Sequence, residues 1–415
     1  MQTKFPLAFA LLFVASAVSL GGPRLTITGK VVDSAGKPLS NATVIVYHAG
    51  VKRGYSTYCP SCYEDCGKRT TTDAAGFYSV GKLNPDLWFE LLVVLDGYAP
   101  TFIKVAEPSK ELAPTAVLLS RPPVTDSTHV VKGLVVDKSQ NAVAGAVVNA
   151  VGVEINEHSL IGTIPGLDPL AVTNAKGEFD LIYANSAKRM LLSIEARTLA
   201  PKFVVLATGP DRQTIELPKG VTIQGRLVKD GKPVGNAQIG LIGQARGGFA
   251  DQLKIVGTPY SEMRVGTQDD GSFILSNVPA QTNWFVYAKM ESVATRGATV
   301  PKACTTSLPG ETVNIGDLEL LPGYQFSGRV LLSDGKSLPD GMRVIITSEQ
   351  AWDSQTSILA KDGRFSFIGL PRGKYSLNPA VRGYGLQSGE YETEISVDRD
   401  ICDFVISLSP TPVAH

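Results

Sequence analysis

The sequence predicts an all-β protein, an array of four small β-sandwich domains behind an export signal. Three observations lead there. One pattern is written four times along 415 residues; its segments alternate apolar and polar residues in the manner of strands; and no long stretch keeps a helical period. The repeat length is about 90–105 residues, the size of a self-contained domain and far longer than a solenoid unit.

Each copy opens on a Gly-centred strand: Gly29-Lys30-Val31-Val32, Gly133-Leu134-Val135-Val136, Gly225-Arg226-Leu227-Val228 and Gly328-Arg329-Val330-Leu331. A turn and a small-apolar strand follow, as in Pro38-Leu39-Ser40-Asn41-Ala42-Thr43-Val44, Ala144-Gly145-Ala146-Val147, Pro233-Val234-Gly235-Asn236-Ala237 and the looser Leu338-Pro339-Asp340-Gly341-Met342-Arg343-Val344. Next comes a polar turn ending in Gly, with an aromatic two residues on: Gly76-Phe77-Tyr78, Gly177-Glu178-Phe179, Gly271-Ser272-Phe273 and Gly363-Arg364-Phe365. The residues before each Gly offer a side-chain acceptor early in the turn, as type I turns prefer. Calcium is the alternative reading for Asp73, Asp269 and Asp270, but one or two carboxylates fall short of the six or more oxygens that Ca²⁺ takes. One pass of the pattern fits each of the spans 24–120, 127–219, 220–322 and 323–409, with Arg121-Pro122-Pro123 marking a linker.

Composition agrees. Hydrophobic residues make up 43% of the chain, enough to fill a core in each span, and 39 basic residues balance 39 acidic ones. No dense Lys/Arg block occurs, which argues against nucleic acid and anionic membrane as partners. At the N-terminus Lys4 precedes an apolar run from Phe5 to Val14, and Ala15-Ser16-Ala17 supplies small residues at a cleavage site, so residues 1–19 read as a signal peptide. The run is too short to span a bilayer, no Cys follows it for lipid attachment, and the C-terminal stretch is not hydrophobic. The expected location is secreted or periplasmic, with no membrane span in the mature chain.

These repeats resemble the carboxypeptidase regulatory-like domain. The first copy carries the likeness through Gly36-Lys37-Pro38-Leu39-Ser40-Asn41-Ala42-Thr43-Val44, Thr72-Asp73-Ala74-Ala75-Gly76-Phe77 and Asp96-Gly97-Tyr98. The fourth keeps Gly369-Leu370-Pro371-Arg372-Gly373-Lys374-Tyr375-Ser376-Leu377 and Gly383-Tyr384, while the second and third hold the frame without the Gly-Tyr ending. The resemblance implies a Greek-key, transthyretin-like β-sandwich in each copy and an accessory role; some similar sandwiches bind polysaccharide. Fold alone does not specify an activity.

Zinc peptidase chemistry needs about three protein ligands and a general base. The four histidines, His48, His129, His158 and His415, begin no His-Glu-x-x-His or His-x-x-Glu pattern. His129 falls in the linker and His158 in an expected loop. No Gly-x-Ser-x-Gly elbow, phosphate-cradling loop or dinucleotide fingerprint appears. No catalytic residue and no cofactor are expected.

The sharpest local anomaly is Tyr58-Cys59-Pro60-Ser61-Cys62-Tyr63-Glu64-Asp65-Cys66-Gly67-Lys68, which holds three of the five cysteines. In an exported protein a disulfide among Cys59, Cys62 and Cys66, of unassigned pairing, would staple this loop. A metal site with His48 as fourth ligand and a redox Cys-x-x-Cys are the alternatives. The odd cysteine could reach Cys304 or Cys402, or those two could bridge the third and fourth copies. Insertions recur at the equivalent place, Glu154 to Pro169 and Gly243 to Arg264, with a shorter connection Ser348 to Ala360 in the fourth copy. Loops on a scaffold are where binding residues gather, so together they form a candidate surface. Of the tryptophans, Trp88 and Trp284 sit in strand-like runs and are expected in cores, whereas Trp352 is the ligand-binding candidate. The functional expectation is a non-enzymatic binding or spacer protein whose partner is an extracellular protein or polysaccharide; the alternatives are a carbohydrate-binding protein and a thiol-redox or metal-binding protein.

Overall fold

The computed structural model describes residues 23–56, 63–108, 112–156, 158–243, 263–351, 353–386 and 393–411. These are almost entirely β; helix among them is confined to a 3-10 turn at Ser127–His129 and one α-helical turn at Met290–Val293. In the first copy the strands are β1 (Leu25–Asp33), β2 (Thr43–Val51), β3 (Arg69–Thr71), β4 (Phe77–Leu83), β5 (Leu87–Val94), β6 (Thr101–Ala106) and β7 (Ala116–Leu118). One sheet runs β4-β1-β7, with β1 antiparallel to β4 and parallel to β7. The other runs β3-β2-β5-β6, antiparallel throughout.

The same wiring recurs along the chain. Val130–Val136, Val221–Lys229 and Tyr324–Leu332 each pair antiparallel with a β4 counterpart and parallel with a β7 counterpart. Val147–Ile155, Gln238–Gly243 and Arg343–Ser348 stand where β2 stands, each antiparallel to the counterparts of β3 and β5. A separate apolar cluster fills each sheet pair; those of the first and last are built around Val31, Phe89 and Leu118 and around Phe326, Phe367 and Leu408.

The two marks of the repeat, the strand Gly and the aromatic after the turn, are one interaction. Gly29 lies directly opposite Tyr78, Gly133 opposite Phe179, Gly225 opposite Phe273 and Gly328 opposite Phe365. The ring covers the glycine so closely that a Cβ on Gly133 would fall 2.1 Å from Phe179, and one on Gly225 2.7 Å from Phe273. Glycine is a weak strand residue with no side chain to pack, and an aromatic laid across it restores the buried surface. Only the first copy uses Tyr here. The Tyr78 hydroxyl is buried without a hydrogen-bond partner, and burial pushes it up to about 12.

The turn is held from both ends. Asp73 Oδ1 accepts from the N–H groups of Ala75 and Phe77, and Asn174 Oδ1 from those of Lys176 and Glu178. The closing residue, Gly76 in the first copy, has φ +78° and a hypothetical Cβ 2.5 Å from the Val31 carbonyl oxygen, so both conformation and space require glycine. One residue before the turn a buried threonine stitches it to the β1–β2 connection. Thr72 Oγ1 accepts from Ala42 N–H and donates to the Leu39 carbonyl; Thr173 and Thr267 make the same pair of bonds with Ala146 and Val143, and with Ala237 and Val234. In the fourth copy Leu359 takes this place, keeps the backbone bond to Met342 and packs into the core instead.

Strands β2 and β5 carry continuous apolar runs, Val44-Ile45-Val46 and Leu91-Leu92-Val93-Val94, because at these residues both faces of the sheet are covered. Val44, Val46, Leu91 and Val93 point into the first core. Ile45, Leu92 and Val94 point outward onto Val147 and Leu170 of the second copy. Arg121 begins the linker and clamps Asp168 with two bonds of 2.6 and 2.8 Å. The third and fourth copies meet likewise, Ile242 and Tyr287 against Ala351.

Three expectations change. Trp284 is core, 1% exposed, but Trp88 is half-buried on the outer side of its sheet because Leu87, Phe89 and Leu91 take the inward positions. His158 opens a short edge strand, His158–Ile161, formed when the insertion folds back on Val147–Ile155. Cys304 and Cys402 do not bridge: Cys304 is a buried thiol in the third core and Cys402 an exposed one on the strand Ile401–Pro410. Trp352 lies outside the described residues.

Thr72→Val strands the Ala42 N–H and the Leu39 carbonyl and should cost about 2 kcal/mol in urea denaturation. Tyr78→Phe, which removes a buried hydroxyl lacking a partner, should leave stability unchanged or raise it by up to about 1 kcal/mol. A comparable loss in Tyr78→Phe would contradict this account of the site.

Candidate functional site at the cysteine segment

Cys59 and Cys62 lie outside the described residues, and Cys66 is the member of the trio that the structure describes. Its segment is pinned by Asp65, 1% exposed. Asp65 Oδ1 receives Arg24 Nη1 at 3.0 Å and Lys68 Nζ, while Oδ2 accepts from the Asn84 N–H at 2.9 Å. A buried carboxylate satisfied this fully fixes the segment against β1 and the β4–β5 turn. Burial, with the Asp65 charge adding to it, pushes the Cys66 thiol up to about 11. At neutral pH it is protonated and a weak nucleophile, which weighs against a redox role for this sulfur. His48, the metal-ligand alternative, instead places Nδ1 2.9 Å from Glu90 Oε2 on the outer side of the sheet. Among the described residues no three His, Cys, Asp or Glu side chains gather in a metal-holding group.

The neighbouring Glu64 reaches a different copy. Its Oε1 accepts from Gln238 Nε2 at 2.7 Å, and its Oε2 from Arg24 Nη2 at 3.1 Å. Burial alone would raise this carboxyl, but Gln238 and Arg24 outweigh it and hold it below its ordinary range. Earlier in the same connection, the Arg53 carbonyl accepts from Arg343 Nη2, and Gly54 and Gly341 touch backbone to backbone. The first copy's insertion therefore contacts both the third and fourth copies.

Where those two copies join, charge is buried. Lys289 Nζ sits 2.7 Å from Asp353 Oδ1, with side-chain exposures of 13% and 2%. Ser354 N–H also donates to Oδ1, and Met290 N–H donates to Oδ2 at 2.5 Å. Met290 enters the fourth core, so the turn carrying these groups is keyed into the next sheet pair. Glu291 Oε1 accepts from Thr356 N–H at 3.1 Å. Burial, then the Asp353 and Glu64 charges, push the Glu291 carboxyl up to about 7 against the pull of Lys289; the residue keeps an exposed flank where water offsets part of the burial.

Two of the sequence-selected insertions thus converge on the third copy: Glu64 from the cysteine segment, and Ala351 and Asp353 flanking Trp352. Lys289 and Glu291 carry no sequence signal, since they belong to a single helical turn with no motif of its own. Chemically the junction is an ionic seam whose charges are committed to each other and to backbone N–H groups.

Because the folded junction raises Glu291 above its ordinary 4.5, its contribution to stability is full below pH 4.5 and is lost as pH rises through about 7. Glu291→Gln, permanently neutral, should melt above the wild type at pH 8 and together with it below pH about 4.5. A constant offset across the pH series would overturn this assignment.

Among solved structures the chain is similar to the Bacillus anthracis TIE protein, at 13% identity over 94% of this chain and 75% of that one, TM-score 0.20. It is also similar to a streptococcal ancillary pilin, at 13% identity over 68% and 99%, TM-score 0.23, and to the minor pilin of Streptococcus agalactiae, at 13% over 47% and 98%, TM-score 0.24. No curated protein matches the chain. Residues 26–116, from β1 to the start of β7, match the family model described as the carboxypeptidase regulatory-like domain.

Proposed function

We propose that the protein is an exported, non-enzymatic array of four such sandwiches, over 24–120, 127–219, 220–322 and 323–409, that binds an extracellular partner or spaces one from a surface. The observation that carries this reading is the fourfold recurrence of one sheet wiring with its glycine–aromatic pair, joined by apolar contacts between copies. An array of this kind offers the same surface several times over. Export rests on the apolar run Phe5 to Val14, outside the described residues. One disulfide within Cys59–Cys66 orders the cysteine segment in an oxidising compartment.

Purified mature protein should turn over no peptide, ester or glycoside substrate; turnover abolished by a single acidic or His substitution would defeat the reading. Limited proteolysis should cut first within 122–126, the exposed linker just after the Arg121 clamp. Non-reducing peptide mapping should find a bond within Cys59–Cys66, and three titratable thiols there, or one equivalent of zinc retained on dialysis, would replace the staple with the alternative chemistry.

A further inference from the structure

We infer that the outer face of the β3-β2-β5-β6 sheet, around Trp88, Glu90 and His48, binds a saccharide chain. This rests on the reading of the array as a binding protein and gives its partner a chemical class.

Gly50 on β2 lies directly opposite Trp88 on β5, and His48 opposite Glu90. With no side chain on Gly50, the indole settles onto the backbone; a Cβ there would fall 2.4–2.8 Å from three of its ring atoms. The contact has the form of the four glycine–aromatic pairs, with one difference. Those rings point into the cores, whereas Trp88 lies on the outer side, beyond the Ile45, Leu92 and Val94 cluster that the second copy covers. The backbone thus orients a flat, half-exposed aromatic surface at no cost in side-chain ordering on binding.

A second aromatic surface stands at the other end. Phe102 on β6 is opposite Leu92, is 38% exposed, and meets Tyr47 edge-on at 5.4 Å. From the level of residue 88 to that of residue 92 is about 13 Å along a strand, and Glu90 sits midway. Two apolar rests with a polar group between them suit an extended ligand whose faces are apolar and whose edges carry hydroxyls.

The carboxylates of this face favour a hydroxyl-bearing ligand over a cation. The two carboxylates on these strands are engaged, Glu90 by the His48 ring at 2.9 Å and Glu107 by Lys52 at 2.9 Å, so a cationic ligand gains no free carboxylate. The Glu90 carboxylate retains acceptor capacity for a hydroxyl. Burial, with the Glu90 charge adding to it, raises Tyr47 and keeps its phenol a donor. On β6 a bulge falls opposite Glu90, and within it Val105 holds φ 54°, a conformation a β-branched residue adopts only under constraint and one that gathers at functional sites.

The test is affinity electrophoresis of the mature chain in gels cast with galactomannan, mixed-linkage β-glucan or dextran, against a polymer-free gel. Retardation is expected with at least one polymer. Trp88→Ala should weaken it about tenfold, or ~1.4 kcal/mol, and Glu90→Gln, which preserves shape, several-fold, with melting temperature confirming that each variant is folded. Trp352→Ala should leave it intact. Migration unchanged in all three gels, retardation that survives Trp88→Ala, or retardation lost in Trp352→Ala alone would overturn the site. Release of reducing ends from a polymer would instead overturn the non-enzymatic reading while leaving the site in place.

Discussion

The fold depends on a glycine in one strand covered by an aromatic from the strand beside it. This pair sets the register of β1 against β4 in every copy, because sliding the strands by one residue would drive the ring into a side chain and turn it to the other face of the sheet. The register in turn places the turn glycine against the β1 carbonyl, and the threonine that precedes the turn against the β1–β2 connection. Three interactions that look separate along the chain are thus one mechanical unit. Its fourth instance, with Leu359 for threonine, shows that core packing can replace the hydroxyl stitch while the backbone bond remains.

Apolar surface left over from each sandwich is what joins the copies. A sheet that is covered on one face would alternate along its strands; β2 and β5 do not, and the surplus residues Ile45, Leu92 and Val94 find Val147 and Leu170. Between the third and fourth copies a smaller apolar contact is supplemented by buried charge. A lone buried Asp353 would be expensive, and the Lys289 ammonium with two backbone N–H groups offsets that cost. Such a seam contributes less through net energy than through the narrow geometry it accepts, which suits a contact that must fix the angle between neighbours.

Outer sheet faces therefore serve two ends. Where they are apolar they are consumed in packing; where they carry Trp88, His48 and Glu90 they remain available. The cysteine segment belongs to the first use, since Asp65 and Glu64 tie it to its own sheet and to the third copy, and its described sulfur is held protonated.

The repeats, the strands, the turn chemistry and the family likeness of residues 26–116 were legible in the sequence because each rests on contacts between neighbours in a fixed local order: a Gly, a polar turn, an aromatic at constant spacing. What the tertiary structure alone decided are the matters that turn on which face of a strand is covered and by what. Trp88 and Trp284 occupy similar apolar runs, yet one reaches the core and the other lies outside, because alternation settles only that neighbours point opposite ways and not which of them points inward. The insertion at His158 became a strand because its backbone found an open edge. Lys289, Glu291 and Asp353 meet across more than sixty residues of chain, and no local pattern encodes a junction whose partners are brought together only when two finished sandwiches pack.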